Sequence, residues 1–243
     1  MASYTLLDDD LLARARELRA AGRSPKEIAR ALGVRPSTVA PLMRTIAREA
    51  ATNEPEPAVT GCWVSPGWSA GLTVNGPKVW PDLDAADHAG SGLVGVVVAR
   101  RHRPRRVSVC GYLVDVYCLG VKDSLGPDVM NDRDLPTFLR MFFSAFGDAE
   151  APIDAPVELA RHLVWGAVDY ARELGFPPHP DFQATSGHLG AWQENSDITF
   201  GRDGVPFYVQ GPYDDPTTIM RTLARSTGDG NSRFLAPAGT AAG

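Results

Sequence analysis

Between Ser24 and Gly33 the chain fixes both ends of one short helix. Ser24-Pro25-Lys26-Glu27 combines a capping hydroxyl, a proline at the first helical position and a glutamate three residues on that closes a capping box. Gly33 supplies the left-handed residue that ends the helix, and Ile28, Ala29 and Leu32 share its inward face. Upstream, Leu11, Leu12, Ala15 and Leu18 recur at helical spacing. They predict a first amphipathic helix from Asp8 to Ala21, with Asp8 to Asp10 at its positive N-terminal end and Gly22 closing it. Downstream, Val34, Val39 and Leu42 carry the same apolar face into a third helix that begins near Pro36. Pro41 conflicts with that helix. In a helix interior it removes a backbone hydrogen bond and collides with the preceding turn, at a cost of ~3 kcal/mol. The helix therefore either starts later, near Ser37 or Thr38, or bends at Ala40.

A small residue early in the second helix, a glycine in the turn and a branched apolar residue in the third helix are here Ala29, Gly33 and Val39, around the phrase "EIARALGV". Residues 8–48 resemble the helix-turn-helix family in its homeodomain-like or resolvase-type form. The resemblance implies an all-α trihelical domain that reads DNA with outward residues at the start of the third helix: Arg35, Pro36, Ser37, Ala40 and Pro41. Only Arg35 and Ser37 of these offer a donor to a base edge, whereas sequence-specific readout draws on several Arg, Asn or Gln contacts. Thr38 adjoins them. Arg14, Arg16, Arg19, Arg23, Lys26, Arg30, Arg44 and Arg48 remain for phosphate, which carries affinity without sequence information.

Charge supports the same division. The formal net charge is −5, but residues 1–50 hold nine basic against six acidic side chains, while residues 51–243 hold 15 against 23. A basic module on an acidic body suggests that the module, not the whole chain, meets a polyanion. Three widely spaced cysteines, Cys62, Cys110 and Cys118, fit neither a disulfide framework nor a zinc cage. The first residues carry acids where a signal peptide needs a positive region, and no run approaches ~20 apolar residues. A cytoplasmic protein without a membrane partner is expected.

The stretch "REAATNEPEPAVTG" loses periodicity, so the organisation expected is a domain at 1–50, a linker at 51–60, a larger α+β domain at 61–225 and a flexible tail at 226–243. In the body, the dense Gly, Pro and Trp of residues 61–92 suit short strands in long turns, with Trp63, Trp68 and Trp80 as packing residues. Leu93 to Ala99 and Val107 to Leu119 are apolar, β-branched runs around a seven-residue loop, Arg100 to Arg106, and predict a central hairpin. Helical spacing covers Pro136 to Phe146 and Ala155 to Leu174. A strand pair turning at Arg202-Asp203-Gly204 and a helix from Asp215-Pro216 to about Arg225 complete an antiparallel sheet covered by helices. The phrases "LVDVYCLGVKDS", "GAVDYARELGFPPHPDF" and "ITFGRDGVPFYVQGPYDD" resemble an uncharacterised bacterial family over residues 90–225, which implies an independent body and no mechanism.

The loop "RRHRPRR" concentrates Arg100, Arg101, Arg103, Arg105 and Arg106, a density that a phosphate-rich partner would neutralise. The candidate nucleic-acid contacts are therefore Arg23, Lys26, Arg35, Ser37, Thr38, Arg44, Arg48, Arg100, Arg101, Arg103, Arg105 and Arg106. Catalytic sets are weaker. Asp115, Lys122 and Asp123 lack the second close acid of a metal-dependent nuclease. Cys118 needs His162 or His188 beside it to act as a nucleophile, and otherwise reads as a buried small hydrophobe. Glu158, His162 and Asp169 share a helix face in the manner of a solvated stripe, and His179 with Asp181 forms a rigid turn of weak ligand potential. With no phosphate cradle, nucleophile elbow or zinc helix motif, no cofactor or metal is expected. The function expected is a DNA-associated regulator, with a homodimer as one form it can take, and with a ligand- or partner-binding body. The rival is an adaptor for protein or ribonucleoprotein partners, and a hydrolase or nuclease body is the least favoured class.

Overall fold

The apolar runs around Arg100 to Arg106 form the centre of a five-stranded antiparallel sheet. A computed structural model describes residues 3–35, 38–39, 41–43, 56–83, 92–145, 151–192, 195–228 and 230–235. The chain divides into two compact units, Met1–Glu56 and Pro57–Gly243.

In the first unit, α1 (Ser3–Ala20) begins five residues earlier than the spacing of its leucines predicts. The helix α2 (Pro25–Leu32) is delimited as the sequence requires: Glu27 N donates to Ser24 Oγ, Ser24 N donates to the Glu27 carboxylate, and Gly33 takes a left-handed φ of 67°. Those Ser24 hydrogen bonds hold the Glu27 carboxyl below its ordinary range. Residues 38–39 and 41–43 are helical, Pro41 included. Ala15, Ile28, Ala29 and Val39 make one buried cluster, with Leu18, Leu32, Val34, Leu42 and Met43 packed against it.

In the second unit the strand order is β5-β4-β3-β1-β6, where β1 is Val59–Val64, β3 Leu93–Arg103, β4 Arg106–Asp115, β5 Gly120–Asn131 and β6 Ile153–Asp154. Side chains alternate across the strands. One set (Val64, Val96, Val98, Cys110, Tyr112, Val114) packs against Leu159, Leu163, Val164 and Ala167 of the long helix Val157–Glu173. The other (Val97, Ala99, Val107, Val109) packs against Phe142 and Phe143 of the helix Leu135–Ser144. A sheet covered on both faces needs apolar residues at every position, which is why β3 and β4 read as unbroken apolar runs rather than as alternation. Trp68 and Trp80 are buried in the first core, and Trp63 packs on the second.

The Phe142 ring reaches the sheet only because position 111 has no side chain. A Cβ on Gly111 would stand 2.5 Å from Phe142 Cε2.

Several boundaries differ from those the sequence predicts. The strands run through the expected loop: Arg103 pairs with Arg106, and the turn is only Pro104 and Arg105, with Arg105 at φ 59°. The expected second strand is cut at Asp115 by a turn, and a third strand, β5, follows it. Residues 197–211 do not form one strand pair. β7 (Ile198–Thr199) pairs with β2 (Thr73–Val74), and β8 (Phe207–Val209) pairs in parallel with β9 (Arg233–Leu235), inside the segment expected to be a flexible tail. Val59 and Thr60, expected in the linker, belong to β1. Among the described residues, no helix is long and apolar enough to cross a membrane.

Candidate functional site

Arg14, Arg16, Arg19, Arg23, Lys26, Arg30 and Arg35 are all exposed on the first unit. Their positions follow from the helix faces: α1 and α2 commit Ala15, Ile28 and Ala29 to the core, and the cations occupy the remaining surface. Arg23 lies 3.7 Å from Glu27, one helical turn on, and Arg19 Nη1 donates to the Arg23 carbonyl. Thr38 is exposed beside buried Val39. Ser37, Arg44 and Arg48 lie outside the described residues.

The arginine-rich hairpin separates into two roles. Arg100 is 4% exposed, and it points into the body: its Nε donates to the His188 carbonyl at 2.6 Å and its Nη1 to the Pro57 carbonyl at 2.7 Å. A guanidinium spent on two backbone acceptors inside the fold is a structural clamp, so Arg100 leaves the set of candidate nucleic-acid residues. Burial and Arg100 together hold the His188 ring below its ordinary range, and its Nε2 donates to the Ser108 carbonyl at 3.0 Å. Arg101, Arg103, Arg105 and Arg106 are exposed around the tip, with Arg106 Nη2 also donating to the Val129 carbonyl.

The catalytic sets considered from sequence come apart. Asp115 is 3% exposed and accepts the amides of Tyr117 and Cys118, both at 3.0 Å, so its carboxylate caps the β4–β5 turn. Lys122 pairs with Asp214 at 2.9 Å. Burial works against the Asp214 charge, but the hydrogen bonds from Lys122 and the Gly211 amide outweigh it and lower the carboxyl. Cys118 is fully buried, and loss of water pushes its thiol up. Asp115 and Lys122 are each committed to contacts inside the fold, and the Cys118 thiol is held away from solvent.

The stripe Glu158, His162 and Asp169 is also divided. Asp169 pairs with Arg172 on the exposed surface. His162 is wholly buried, between Trp80 and Trp192 with ring centroids 4.9 Å from each. Its Nδ1 accepts the Asp197 amide at 2.9 Å. Lys78 Nζ bridges Glu158 at 2.6 Å and Asp197 at 3.0 Å, and those hydrogen bonds, Glu158 first, raise its ammonium above the ordinary range. This network ties the turn before Trp80 and the start of β7 to one end of the long helix. Only the Glu158–His162 spacing is readable from sequence, since Lys78 and Asp197 come from distant segments.

Burial raises the Asp115 carboxyl from an ordinary 3.8 to about 6, against the opposing pull of the Tyr117 and Cys118 amides and of Lys122. The unfolded chain therefore ionises first. The contribution is full below about 4, and stability falls as pH rises from there through about 6. Asp115→Asn keeps an oxygen for both amides and cannot ionise. It is expected to match the parent near pH 4 and exceed it at pH 8 by on the order of 3 kcal/mol in urea unfolding. A variant less stable than the parent at pH 8 would refute this.

Comparison with known proteins finds no matching family model, no matching curated protein and no matching solved structure.

Proposed function

We propose that the chain is a cytoplasmic DNA-associated regulator, built from a helix-turn-helix module at residues 8–48 and a body that binds a ligand or partner. The carrying observation is that every described Arg and Lys of the first unit is exposed around one small apolar core. In support, Ala29 and Val39 share the buried cluster and Gly33 takes a left-handed φ of 67°, features that a helix-turn-helix would need. Phosphate contacts dominate, because Arg35 and Thr38 are the described donors at the start of the third helical segment. In a homodimer, paired modules would face half-sites ~34 Å apart. The adaptor reading draws on Pro41, which is exposed and brings no donor to that segment.

The test is binding of the full-length protein to a labelled duplex by fluorescence anisotropy across a salt series. Micromolar-order affinity near 50 mM salt that falls steeply by about 200 mM is expected. No binding at the lowest salt would reject the regulator, and a protein partner retained after nuclease treatment would favour the adaptor.

A further inference from the structure

Asp123, His179 and Asp181 come from two segments, and backbone contacts bring them together. β5, the edge strand that carries Asp123, receives the turn "PPHPD" along its open side: the His179 amide donates to the Val121 carbonyl at 2.9 Å. Pro177, Pro178 and Pro180 restrict the turn's φ angles, and Phe182, 3% exposed, anchors the residue after it in the core. His179 Nδ1 lies 3.9 Å from Asp123 Oδ1 and 3.7 Å from Asp181 Oδ2, and the three donor atoms all lie within 4.8 Å of one another.

These distances are too long for a hydrogen bond between the ring and either carboxylate. They lie close to the ~3.3 Å that separates ligand atoms arranged tetrahedrally around one ion at about 2.0–2.1 Å. His179 Nδ1 acts as an acceptor here, taking a long 3.4 Å hydrogen bond from the Asp181 amide that a bound ion would replace. One imidazole nitrogen and two carboxylates thus lie together, and among the described residues neither carboxylate pairs with an Arg or Lys. The side chains are 63%, 39% and 67% exposed, so their outer atoms have room to draw together around an ion.

We propose that Asp123, His179 and Asp181 bind one divalent transition-metal ion. Mixed imidazole and carboxylate donors suit Zn²⁺, Co²⁺ or Mn²⁺ better than the all-oxygen preference of Ca²⁺ or Mg²⁺. Three protein ligands leave a coordination position for water or for a ligand's oxygen. The site is independent of the DNA-binding reading.

The test uses the full-length, untagged, chelator-treated protein, titrated with Co²⁺ by visible absorption and with Zn²⁺ by calorimetry. One ion per chain is expected, with His179→Ala, Asp123→Asn and Asp181→Asn each weakening binding at least tenfold, since even an outer partner of a metal ligand contributes about 10–100-fold. His102→Ala, at an exposed histidine in the hairpin, is expected to bind as the parent does. Unchanged circular dichroism separates ligand loss from misfolding. Absent saturable binding, undiminished binding by His179→Ala, or an intense near-ultraviolet thiolate band each overturns the site.

Discussion

Replacing Arg23, Lys26 and Arg35 together with glutamine is expected to make the salt dependence of duplex binding shallower by nearly 3 in the log–log slope, about 0.9 for each phosphate that is no longer neutralised. Over a rise from about 50 to about 200 mM salt, the variant then loses about 40-fold less affinity than the parent. All three side chains are exposed, and Arg23 alone has an acidic neighbour among the described residues, Glu27 at 3.7 Å. Loosely paired cations on a surface release counterions when they meet phosphate, which gives the slope its size. The same measurement on a chain lacking Arg101, Arg103, Arg105 and Arg106 assigns or removes the hairpin, with a change of up to about 3.6 if all four touch the backbone. Arg100→Gln belongs to neither set. It removes an internal clamp, so its effect is expected in unfolding rather than in the slope. A triple variant that keeps the parental slope would take the first unit out of the interface.

Phe142→Ala is expected to destabilise the body by about 3–5 kcal/mol, read as a lowered urea midpoint. The ring is 6% exposed, stacks on Phe138 at 6.1 Å and meets Phe143 edge-on at 5.1 Å. Its contact with the sheet adds a second, sharper expectation. Gly111→Ala puts a methyl 2.5 Å from the ring and is expected to cost about 1–3 kcal/mol in the parent. In the Phe142→Ala background that methyl has room, and the alanine gains the reduced unfolded-chain entropy usual for glycine replacement in a tolerant backbone. The two substitutions are therefore strongly non-additive. Additive effects would show that the ring does not depend on the bare backbone at 111.

What is legible in the sequence is what adjacent residues encode. Ser24 and Glu27 are three positions apart and meet through a single turn, and Gly33 needs only its own backbone, so α2 can be delimited from the text alone. The hairpin can be located but not measured. Arg101 and Arg103 read as loop because they are charged, yet β3 outruns the helix that covers it, and a strand beyond its core has no reason to be apolar. β5 escapes detection for a related reason. As an edge strand it tolerates Pro127 and exposes Asp123, Leu125 and Asp128, so neither run nor alternation marks it. His162 defeats local reading most completely, since Asp197, Trp80 and Trp192 all reach it from elsewhere in the chain. Asp123 and His179 are likewise joined only by the seating of a proline-rich turn against a strand edge.

Cys62 and Cys110 lie on the sheet face under the long helix Val157–Glu173, and Cys118 sits in a separate cluster with Leu174, Tyr208 and Leu223. Burial pushes the first two thiols up to about 12 and raises the third as well. Alkylating reagents in neutral buffer thus meet almost no thiolate until the protein opens. Modification of Cys118 ahead of the other pair would mark partial unfastening of the helix Pro216–Thr227, which carries Leu223, while simultaneous modification of all three would mark collapse of the whole body, giving the native chain its own internal clock of unfolding.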